Sequence, residues 1–384
     1  MTVRVLTSLD ALREIESAWD DVAGACRASP YVGWDWVYHW WATAGRPYPM
    51  RVSTVWDGGE MIGALPLMRV DYGARRLGLR ELRFASDMVS ISPAYLDLVA
   101  RPGRERECVD AIYARLLEDR EWDRIELSRL CARSPAVPAL CRAAAEHGLR
   151  VELRPWVWSR YAPLPGSFDE YLAGLTRHRR QRIRSQRRRL EKNHAVSFEP
   201  AAEPGQMHRV LDKYLADKCA RMERRGRWTQ FADPGYRKFM HALAEGLLAK
   251  GRLRLWHLDV DGVIGAVAFG IVANDVLYFH NYSYDANLER ESVSHVLIGH
   301  VIQAAIEQEH LKAVDFLFTE YHYKVSYAKA RELVVKMTAY RPGLRSLSFE
   351  GLGHLSAWPR AIASARRRAR PLEVPAADDQ ESAR

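Results

Sequence analysis

Long hydrophobic runs are absent from the sequence. The longest apolar stretch, 263–273, is about half the length needed to cross a bilayer and ends at Asn274 and Asp275. The first ten residues carry charge and contain no apolar core, so no signal peptide is expected and the cytoplasm is the expected location. Hydrophobic residues make up 48% of the 384 residues and charged residues 27%, which predicts a soluble globular protein.

Cysteine is scarce too, with five residues, an odd number. No two of them have Cys-x-x-Cys spacing, which argues against a zinc ribbon and against a disulfide framework. His295 and His300 are five residues apart and therefore do not share one face of a helix as two metal ligands would. We expect reduced thiols and no metal site.

Positive charge is abundant but local. The formal net charge is +9, and the segment 177–192 alone holds eight arginines and one lysine against Glu191, a net charge of +8. This distribution differs from the global excess of a protein that coats nucleic acid. The apolar spacing predicts one long amphipathic helix over 168–192 with arginine on its exposed face. Its apolar positions are Phe168, Tyr171, Leu172, Leu175, Ile183 and Leu190.

The arginine face has two interpretations. It is either a solvated helix face or an anion site, with Arg180 as a candidate ligand, because guanidinium groups match phosphate and carboxylate in a bidentate manner. No aromatic residue lies between 177 and 192, which weakens an interpretation based on stacking with nucleic acid bases.

Internal repetition indicates the architecture. The stretch 57–64 (Asp-Gly-Gly-Glu-Met-Ile-Gly-Ala) recurs at 259–266 (Asp-Val-Asp-Gly-Val-Ile-Gly-Ala). β-rich segments flank both copies, and turn residues between two such segments specify a hairpin. A further strand, a helix and a second strand follow each hairpin in the predicted pattern. The helices are predicted at 104–119 and 292–308, and the strands after them at 122–128 and 313–318.

The repeated order predicts an α/β protein with two tandem domains, each a mixed β-sheet flanked by helices. Proline and glycine cluster at 155–166 and indicate the boundary. We expect an N-terminal domain at 1–155, a C-terminal domain at 156–345, and an extension at 346–384 whose polar tail is disordered.

Several short motifs follow one another along the chain, at 29–34, Trp40-Trp41, 63–67, Asp87, 188–191 and 315–324. In this order they resemble the tandem GNAT-fold acyltransferases, whose Asp-Phe-x-x-Gly…Tyr-Lys signature is similar to 315–324, the most telling stretch. The resemblance is to the CelD-like branch, associated with cellulose biosynthesis and related to Fem-type peptidyltransferases, and it covers about residues 5–340.

The resemblance implies that the C-terminal GNAT domain takes the acyl donor and that the N-terminal domain, a degenerate copy, serves the acceptor. In GNAT enzymes the loop entering the helix near 292 presents backbone N–H groups to the pyrophosphate of coenzyme A. The family usually has Ser-Pro-Gly at 292–294 and glycine at 319, where this chain has Ser-Val-Ser and threonine. A serine N-cap is the alternative role for the loop. The implied cofactor-binding residues are Ser292, Val293, Ser294 and His295.

Three residues are candidate catalytic groups. Asp315 lies in an otherwise apolar strand, where an unpaired carboxylate is costly, so it is either functional or paired with a basic group. Glu320 follows the strand end, where open α/β sheets place their sites, and is the candidate general base. Tyr323 is the candidate acid for the departing thiolate, with Tyr321 and Tyr327 as alternatives.

Four further residues are candidate substrate ligands. Lys324 can hold a carboxylate or phosphate of the acceptor, or pair with Asp315. His280 and Tyr282 follow a predicted strand and can shape the acyl pocket, and Asp87 can reach a groove between the domains. Each also has an ordinary interpretation as a core or surface residue.

We therefore expect an acyl-CoA-dependent N- or O-acyltransferase. Acetyl-CoA is the favoured donor, and the acceptor is a carbohydrate or an amine, in polysaccharide or cell-envelope biosynthesis. No Ser-His-Asp or Cys-His motif is present in the sequence, which favours direct transfer. Two alternatives stay open: a Fem-type peptidyltransferase that uses aminoacyl-tRNA, and a non-catalytic GNAT-like module that binds an anionic polymer or membrane surface.

Overall fold

The computed structural model describes residues 1–72, 78–88, 90–119, 121–227, 229–318 and 322–342. The chain divides into two compact units. Among the described residues, unit 1 contains Met1–Val157 and 333–342, and unit 2 contains Trp158–Glu332. Among the described residues, no helix is long and apolar enough to span a membrane.

Unit 1 contains a mixed sheet with the strand order β1-β2-β3-β4-β6-β13, and β5 pairs with β3 on the side. Helices connect or cover its strands. The elements are β1 (Thr2–Leu6), α1 (Leu9–Glu14), α2 (Glu16–Ala25), α3 (Trp34–Ala42), β2 (Met50–Asp57), β3 (Glu60–Tyr72), β4 (Leu79–Phe84), β5 (Val99–Ala100), α4 (Glu105–Glu118), β6 (Arg124–Cys131), α5 (Ala136–Glu146) and β7 (Arg150–Pro163), with β13 (Ala330–Tyr340) returning from the far end of the chain.

Unit 2 contains a second mixed sheet with the order β7-β12-β11-β10-β9-β8, in which the part of β7 after Val157 takes part. Its elements are α6 (Phe168–Ala173), α7 (Arg177–Asn193), β8 (Val196–Pro200), α8 (Pro204–Arg224), α9 (Pro234–Ala249), β9 (Leu253–Val260), β10 (Val263–Ala273), β11 (Val276–Tyr284), α10 (Val293–Glu307), β12 (Ala313–Phe318) and α11 (His322–Tyr327).

The predicted fold class is confirmed. In unit 1 the hairpin β2-β3 is followed by β4, α4 and the parallel strand β6, and in unit 2 the hairpin β9-β10 is followed by β11, α10 and the parallel strand β12. Both hairpin turns use two left-handed residues. These are Gly58 and Gly59 at φ +56° and +91°, and Asp261 and Gly262 at +53° and +80°. Two consecutive positive φ values are the mark of the type I′ hairpin turn, which explains the glycine-rich repeat.

The prediction of one helix over 168–192 is wrong, because the segment forms two helices, α6 and α7. Thr176 has an extended backbone, and its side chain accepts a hydrogen bond from the N–H of Arg179 at 3.3 Å, so it caps a new helix. Gly174 ends α6. The apolar residues of both helices remain buried in the core of unit 2. Leu175, in the turn between the helices, is buried in the same core.

Candidate active site

Strands β11 and β12 are parallel neighbours for a short distance only. Their pairing covers three positions and ends where Tyr278 lies beside Asp315. β11 continues for six more residues, 279–284, paired with β10. Within the described part of the chain, the parallel ladder therefore opens at its carboxyl end, the edge at which α/β sheets place their ligands.

Asp315 holds β12 in the conformation that ends this ladder. Its carboxylate accepts a hydrogen bond from the N–H of Leu317 at 2.7 Å and another from the hydroxyl of Ser159 at 3.3 Å. Leu317 has φ +60°, an unusual value for a bulky residue, and the register with β7 shifts between Asp315 and Phe318. These bonds favour a positioning role for Asp315.

The N-terminus of α10 follows β11 after the short 3₁₀ helix Ala286–Glu291. Ser292 precedes α10 in a left-handed conformation, φ +58°, and its side chain makes no capping hydrogen bond. Its carbonyl accepts the N–H groups of His295 and Val296, at 3.0 and 3.2 Å. No acidic residue occupies the first turn. A helix start of this kind attracts an anion through its N–H groups and dipole.

Two arginines of α7 lie near this helix start. Burial, followed by the positive charges of Arg182 and Arg179, lowers the pKa of His295 to about 4. The Arg179 guanidinium lies 5.3 Å from the centroid of the Tyr327 ring, and the Tyr327 hydroxyl is 3.1 Å from Nδ1 of His295. Burial raises the pKa of Tyr327. One face of the basic helix thus adds positive charge beside the start of α10.

A second basic cluster lies where α8, β11 and α11 meet. Lys218 of α8 donates a hydrogen bond to Oδ1 of Asn281 at 2.6 Å, and its ammonium group is 5.6 Å from the centroid of the Tyr282 ring. The edge of the Tyr323 ring contacts the Tyr282 ring, with centroids 5.4 Å apart. Lys324, the next residue, is buried and donates to the Phe318 carbonyl. The Tyr282 ring therefore lies between the two lysine-bearing helices.

Burial and mutual repulsion lower the pKa values of the basic groups in this cluster. Burial, followed by the charges of Arg221 and Lys324, lowers the pKa of Lys218 to about 7. Burial also lowers the pKa of Lys324 to about 7, against an opposing contribution from Asp315. The pKa of His280 falls to about 4 through burial and then repulsion by Lys218 and Lys324. All three shifts favour the uncharged forms of His280, Lys218 and Lys324.

Unit 1 also has a parallel strand pair, but side chains occupy the space at the carboxyl end of that pair. β4 and β6 also pair over three positions, the last being Arg83 with Glu126. Beyond that point the buried carboxylate of Asp87 accepts from Nε of Arg129 at 2.8 Å and from the hydroxyl of Ser128 at 2.6 Å. This ion pair joins β6 to the chain after β4 within unit 1. A role of Asp87 in binding the acceptor stays a prediction.

The helix that follows this first pair also differs. The first turn of α4 carries Glu105 and Glu107, whereas the first turn of α10 has no acidic residue. Two carboxylates at a helix start repel an anionic ligand. Only the helix start in unit 2 therefore combines an open strand pair with a favourable field for a phosphate, among the described residues.

Other predicted site residues have simpler surroundings. Arg180 donates to the carbonyls of Leu172 and Ala173 at 3.5 and 3.3 Å, so it caps the end of α6 while lining the exposed arginine face. Glu320 and Tyr321 lie outside the described residues. Val293 is buried, and Ser294 and Tyr323 are half-buried. Among the described residues, no group of three His, Cys, Asp or Glu side chains could hold a metal ion.

Sequence reasoning missed Lys218. The signal was present, because the buried residues of α8 recur at Leu211, Tyr214 and Leu215, and Lys218 continues this stripe. A lysine on the apolar face of an amphipathic helix is a candidate functional residue, since burying its charge is costly. Its contact with β11, however, is a tertiary feature that one sequence does not reveal.

Comparison with known proteins agrees with this geometry. Residues 177–325 match the sequence profile of the family described as Acetyltransferase (GNAT) domain. No curated protein sequence matches the chain significantly.

Solved structures resemble most of the chain. The crystal structure of FemX superposes with a TM-score of 0.59 at 11% identity, covering 89% of this chain and 98% of FemX. A conserved protein of unknown function from Bacteroides thetaiotaomicron gives 0.51 at 13% identity, covering 88% and 100%. The C-terminal domain of an inferred lysylphosphatidylglycerol synthetase from Agrobacterium fabrum gives 0.50 at 12% identity, covering 91% and 99%.

The matched profile and the mixed sheets with flanking helices define the class. The protein is an acyltransferase with the GNAT fold, and its GNAT acetyltransferase domain lies in the part of unit 2 that contains the open strand pair and the α10 helix start.

Proposed function

We propose that the protein transfers an acyl group from acyl-CoA to an amine or hydroxyl acceptor, with the donor bound in unit 2. The observation that supports this most strongly is the opening of β11 and β12 next to an N-terminus of α10 that lacks a side-chain cap. In unit 1 an ion pair and two glutamates occupy the equivalent features. Acetyl-CoA is the proposed donor, and the proposed acceptor is a saccharide or amine of the cell envelope.

The residues present fit coenzyme A. Val293 and Ser294 would present backbone N–H groups to its pyrophosphate, and Arg182 would add positive charge. Ser292 and His295 would flank the pyrophosphate, because their own N–H groups bond the carbonyls of Glu289 and Ser292. The side chains at 293 and 294 fit a phosphate beside the helix start more loosely than glycine would, because each adds a Cβ. When bound, the cofactor supplies a thioester, which an amine or hydroxyl attacks directly.

Proton transfer is assigned to two residues that follow β12 in the sequence. Tyr323 is the proposed acid for the departing thiolate, since it adjoins Tyr282 and is half-buried. Glu320 is the proposed general base, from its place directly after β12. Asp315 fixes the bend of β12 that these groups depend on, and Lys324 and His280 face the acceptor.

The experiment is a calorimetric titration of the full chain with coenzyme A and acetyl-CoA. Arg182→Gln should weaken both affinities about tenfold, because one charge-assisted contact to phosphate contributes about 1.5 kcal/mol. Arg188→Gln is the matched control, with the same charge change on the exposed face of the same helix, and should leave the affinities unchanged. Absence of binding at millimolar ligand would overturn the proposal.

A second candidate is a peptidyltransferase that takes its donor from aminoacyl-tRNA. Two observations favour it: the FemX-like fold, and the row of Arg177, Arg184 and Arg188 on the exposed face of α7. A donor of this kind would bind through phosphate contacts, so its affinity would fall steeply with salt concentration. Full-chain binding to bulk tRNA at low and high salt distinguishes the two donors.

A further inference from the structure

Arginine side chains form a row along the exposed face of α7. They line an open groove of about 290 Å³, the arginine groove, whose residues are Arg177, Arg180, Gln181, Arg184 and Arg188. Among the described residues, Asp169 is the only carboxylate paired with this row, and it bonds Arg184 at 2.9 Å. Both side chains of that pair are largely exposed, so the pair is weak and the groove keeps a strong positive charge.

The position of these charges opposes the stability of α7. The first turn of the helix carries Arg177 and Arg180 and no acidic residue, whereas the helix dipole favours negative charge there. Arg180, Arg184 and Arg188 follow one another at four-residue spacing, at which like charges repel. Positive charge that is kept against two unfavourable effects indicates an anionic partner.

A largely apolar cavity adjoins the arginine groove. It lies between α6, α7 and α10, has a volume of about 180 Å³, and shares Arg184 with the groove. A cavity of about 150 Å³ with apolar walls can hold benzene, so there is room here for a short length of hydrocarbon chain. The apolar wall residues are Phe168, Leu172, Ile183, Val296 and Gly299.

The wall of the cavity also contains an unsatisfied polar atom. In the part of the chain that the structure describes, Nε2 of His300 is buried and has no hydrogen-bond partner. The His300 ring stacks on Phe198, with centroids 5.0 Å apart, and burial, followed by the charge of Arg187, lowers its pKa to about 4. A neutral imidazole nitrogen in this place can bond an ester or hydroxyl group of a ligand.

The cavity favours a lipid over a nucleic acid as the partner. Phosphates of either would suit the groove, but single-stranded nucleic acid binds largely by stacking on aromatic rings. No aromatic residue lies within 177–192 or lines the groove. An apolar cavity beside a basic groove instead matches an amphiphile, in which an anionic head group is joined to a hydrocarbon chain. Arg182, assigned above to the phosphates of coenzyme A, lines neither space.

We propose that the arginine groove and the adjoining cavity bind an anionic phospholipid, so that this face of unit 2 docks on an anionic membrane surface. The phosphate lies on the groove, and the end of one acyl chain enters the cavity. Arg184 lies where head group and chain meet, because it borders both spaces. Binding of this lipid is independent of the proposed acyl transfer.

Flotation of the full chain with vesicles tests the docking. Phosphatidylcholine vesicles with about one phosphatidylglycerol in three are compared with pure phosphatidylcholine. We expect binding to the anionic vesicles only, and a partition coefficient about fivefold lower for Arg188→Gln. Arg209→Gln, with the same charge change at an exposed residue of α8, should leave it nearly unchanged. Equal losses in the two variants, or no binding to anionic vesicles, would overturn the proposal.

Soluble ligands test the cavity separately. Calorimetry compares dihexanoylphosphatidylglycerol, kept below its micelle concentration, with glycerophosphoglycerol, which has the same head group and no chains. The wild type should bind the acylated form at least about tenfold more tightly, because each buried methylene contributes about fourfold. Equal affinities for the two ligands would contradict the proposal, and this comparison needs no variant.

A variant that fills the cavity locates the chain. A Cβ added at Gly299 would lie 3.7 Å from Cγ2 of Ile183, an ordinary contact distance, so a longer side chain there extends into the cavity. Gly299→Leu should remove the advantage of the acylated ligand, whereas Gly299→Ala, the control, should keep most of it. Thermal unfolding checks that both variants fold. A folded Gly299→Leu protein that retains the advantage would show that the chain does not enter this cavity.

Two further measurements distinguish other occupants of the groove. Binding of bulk tRNA without binding to anionic vesicles would assign the groove to a nucleic acid, and the proposal would be wrong. Coenzyme A should bind Arg188→Gln as it binds the wild type. A loss of coenzyme A affinity in this variant would make the groove part of the donor site and would also contradict a separate lipid site.

Discussion

At the scale of single residues, two charged side chains occupy positions where an apolar side chain would give a more stable fold. Lys218 continues the apolar stripe of α8, and its ammonium group faces two aromatic rings and an amide oxygen. Asp315 occupies an apolar strand as well, but two hydrogen bonds satisfy it. The hydrogen bonds of Asp315 hold the bend of β12, whereas the position of Lys218 is costly for stability.

Lys218→Met should raise the free energy of unfolding by about 1–2 kcal/mol at pH 6, because it removes a half-buried charge from the folded state. The folded-state pKa of Lys218 is lowered to about 7 from 10.5. The charge penalty is therefore full below pH 7 and shrinks as the pH rises towards 10.5. Denaturant unfolding at pH 6 and pH 9.5 should show a gain that is larger at pH 6.

Lys192→Met is the control for that measurement, since its side chain is exposed and its replacement should change stability little at either pH. A Lys218→Met variant less stable than the wild type at both pH values would show that the lysine contributes to the fold. The hydrogen bond to Asn281 would then outweigh the cost of burying the charge.

At the scale of elements, turn chemistry was predictable and the helix break was not. The order of the elements follows from the sequence because local patterns determine it. These patterns are the glycines of the two hairpin turns, the strand periodicity and the apolar helix at 293–307. The apolar spacing of α6 and α7 runs on through 174–176 and favours one helix. Thr176 restarts the helix by a capping bond that competes closely with helix continuation.

Thr176→Ala should lower the free energy of unfolding by about 1 kcal/mol, because it removes the cap of α7. Thr176→Asp should restore or exceed wild-type stability, since its carboxylate caps the helix and lies among the arginines of the first turn. Thermal unfolding of the three proteins in low salt measures both effects. Equal stability of Thr176→Ala and wild type would mean that packing of Leu175 and Ile183 alone sets the break.

The candidate site shows the same division between local and tertiary information. The helix start at 292–295 and the stretch 315–324 carry recognisable patterns. Lys218 and Asn281 lie 63 residues apart, and Asp87 and Arg129 lie 42 apart. Only the fold joins such pairs, which is why the sequence could not show that Asp87 forms a buried ion pair with Arg129.

At the scale of the whole molecule, two similar units have diverged in one respect. Each contains a hairpin, a parallel strand pair and the helix between its strands. In unit 1 the Asp87–Arg129 pair and the glutamates at the start of α4 replace features that a phosphate-bearing donor requires. Breaking such a buried pair costs about 3–5 kcal/mol, so it is a firm part of unit 1.

The central claim is that one acyl-CoA binds per chain, at the start of α10. Calorimetry of the full chain with coenzyme A should give a stoichiometry of one. Ser294→Asp should lower the affinity at least about tenfold, since its carboxylate repels the pyrophosphate, while the fold gains about 0.5 kcal/mol from the helix dipole. Ser294→Ala, the control, should bind nearly as wild type does. Two sites per chain, or unchanged affinity in Ser294→Asp, would contradict the account.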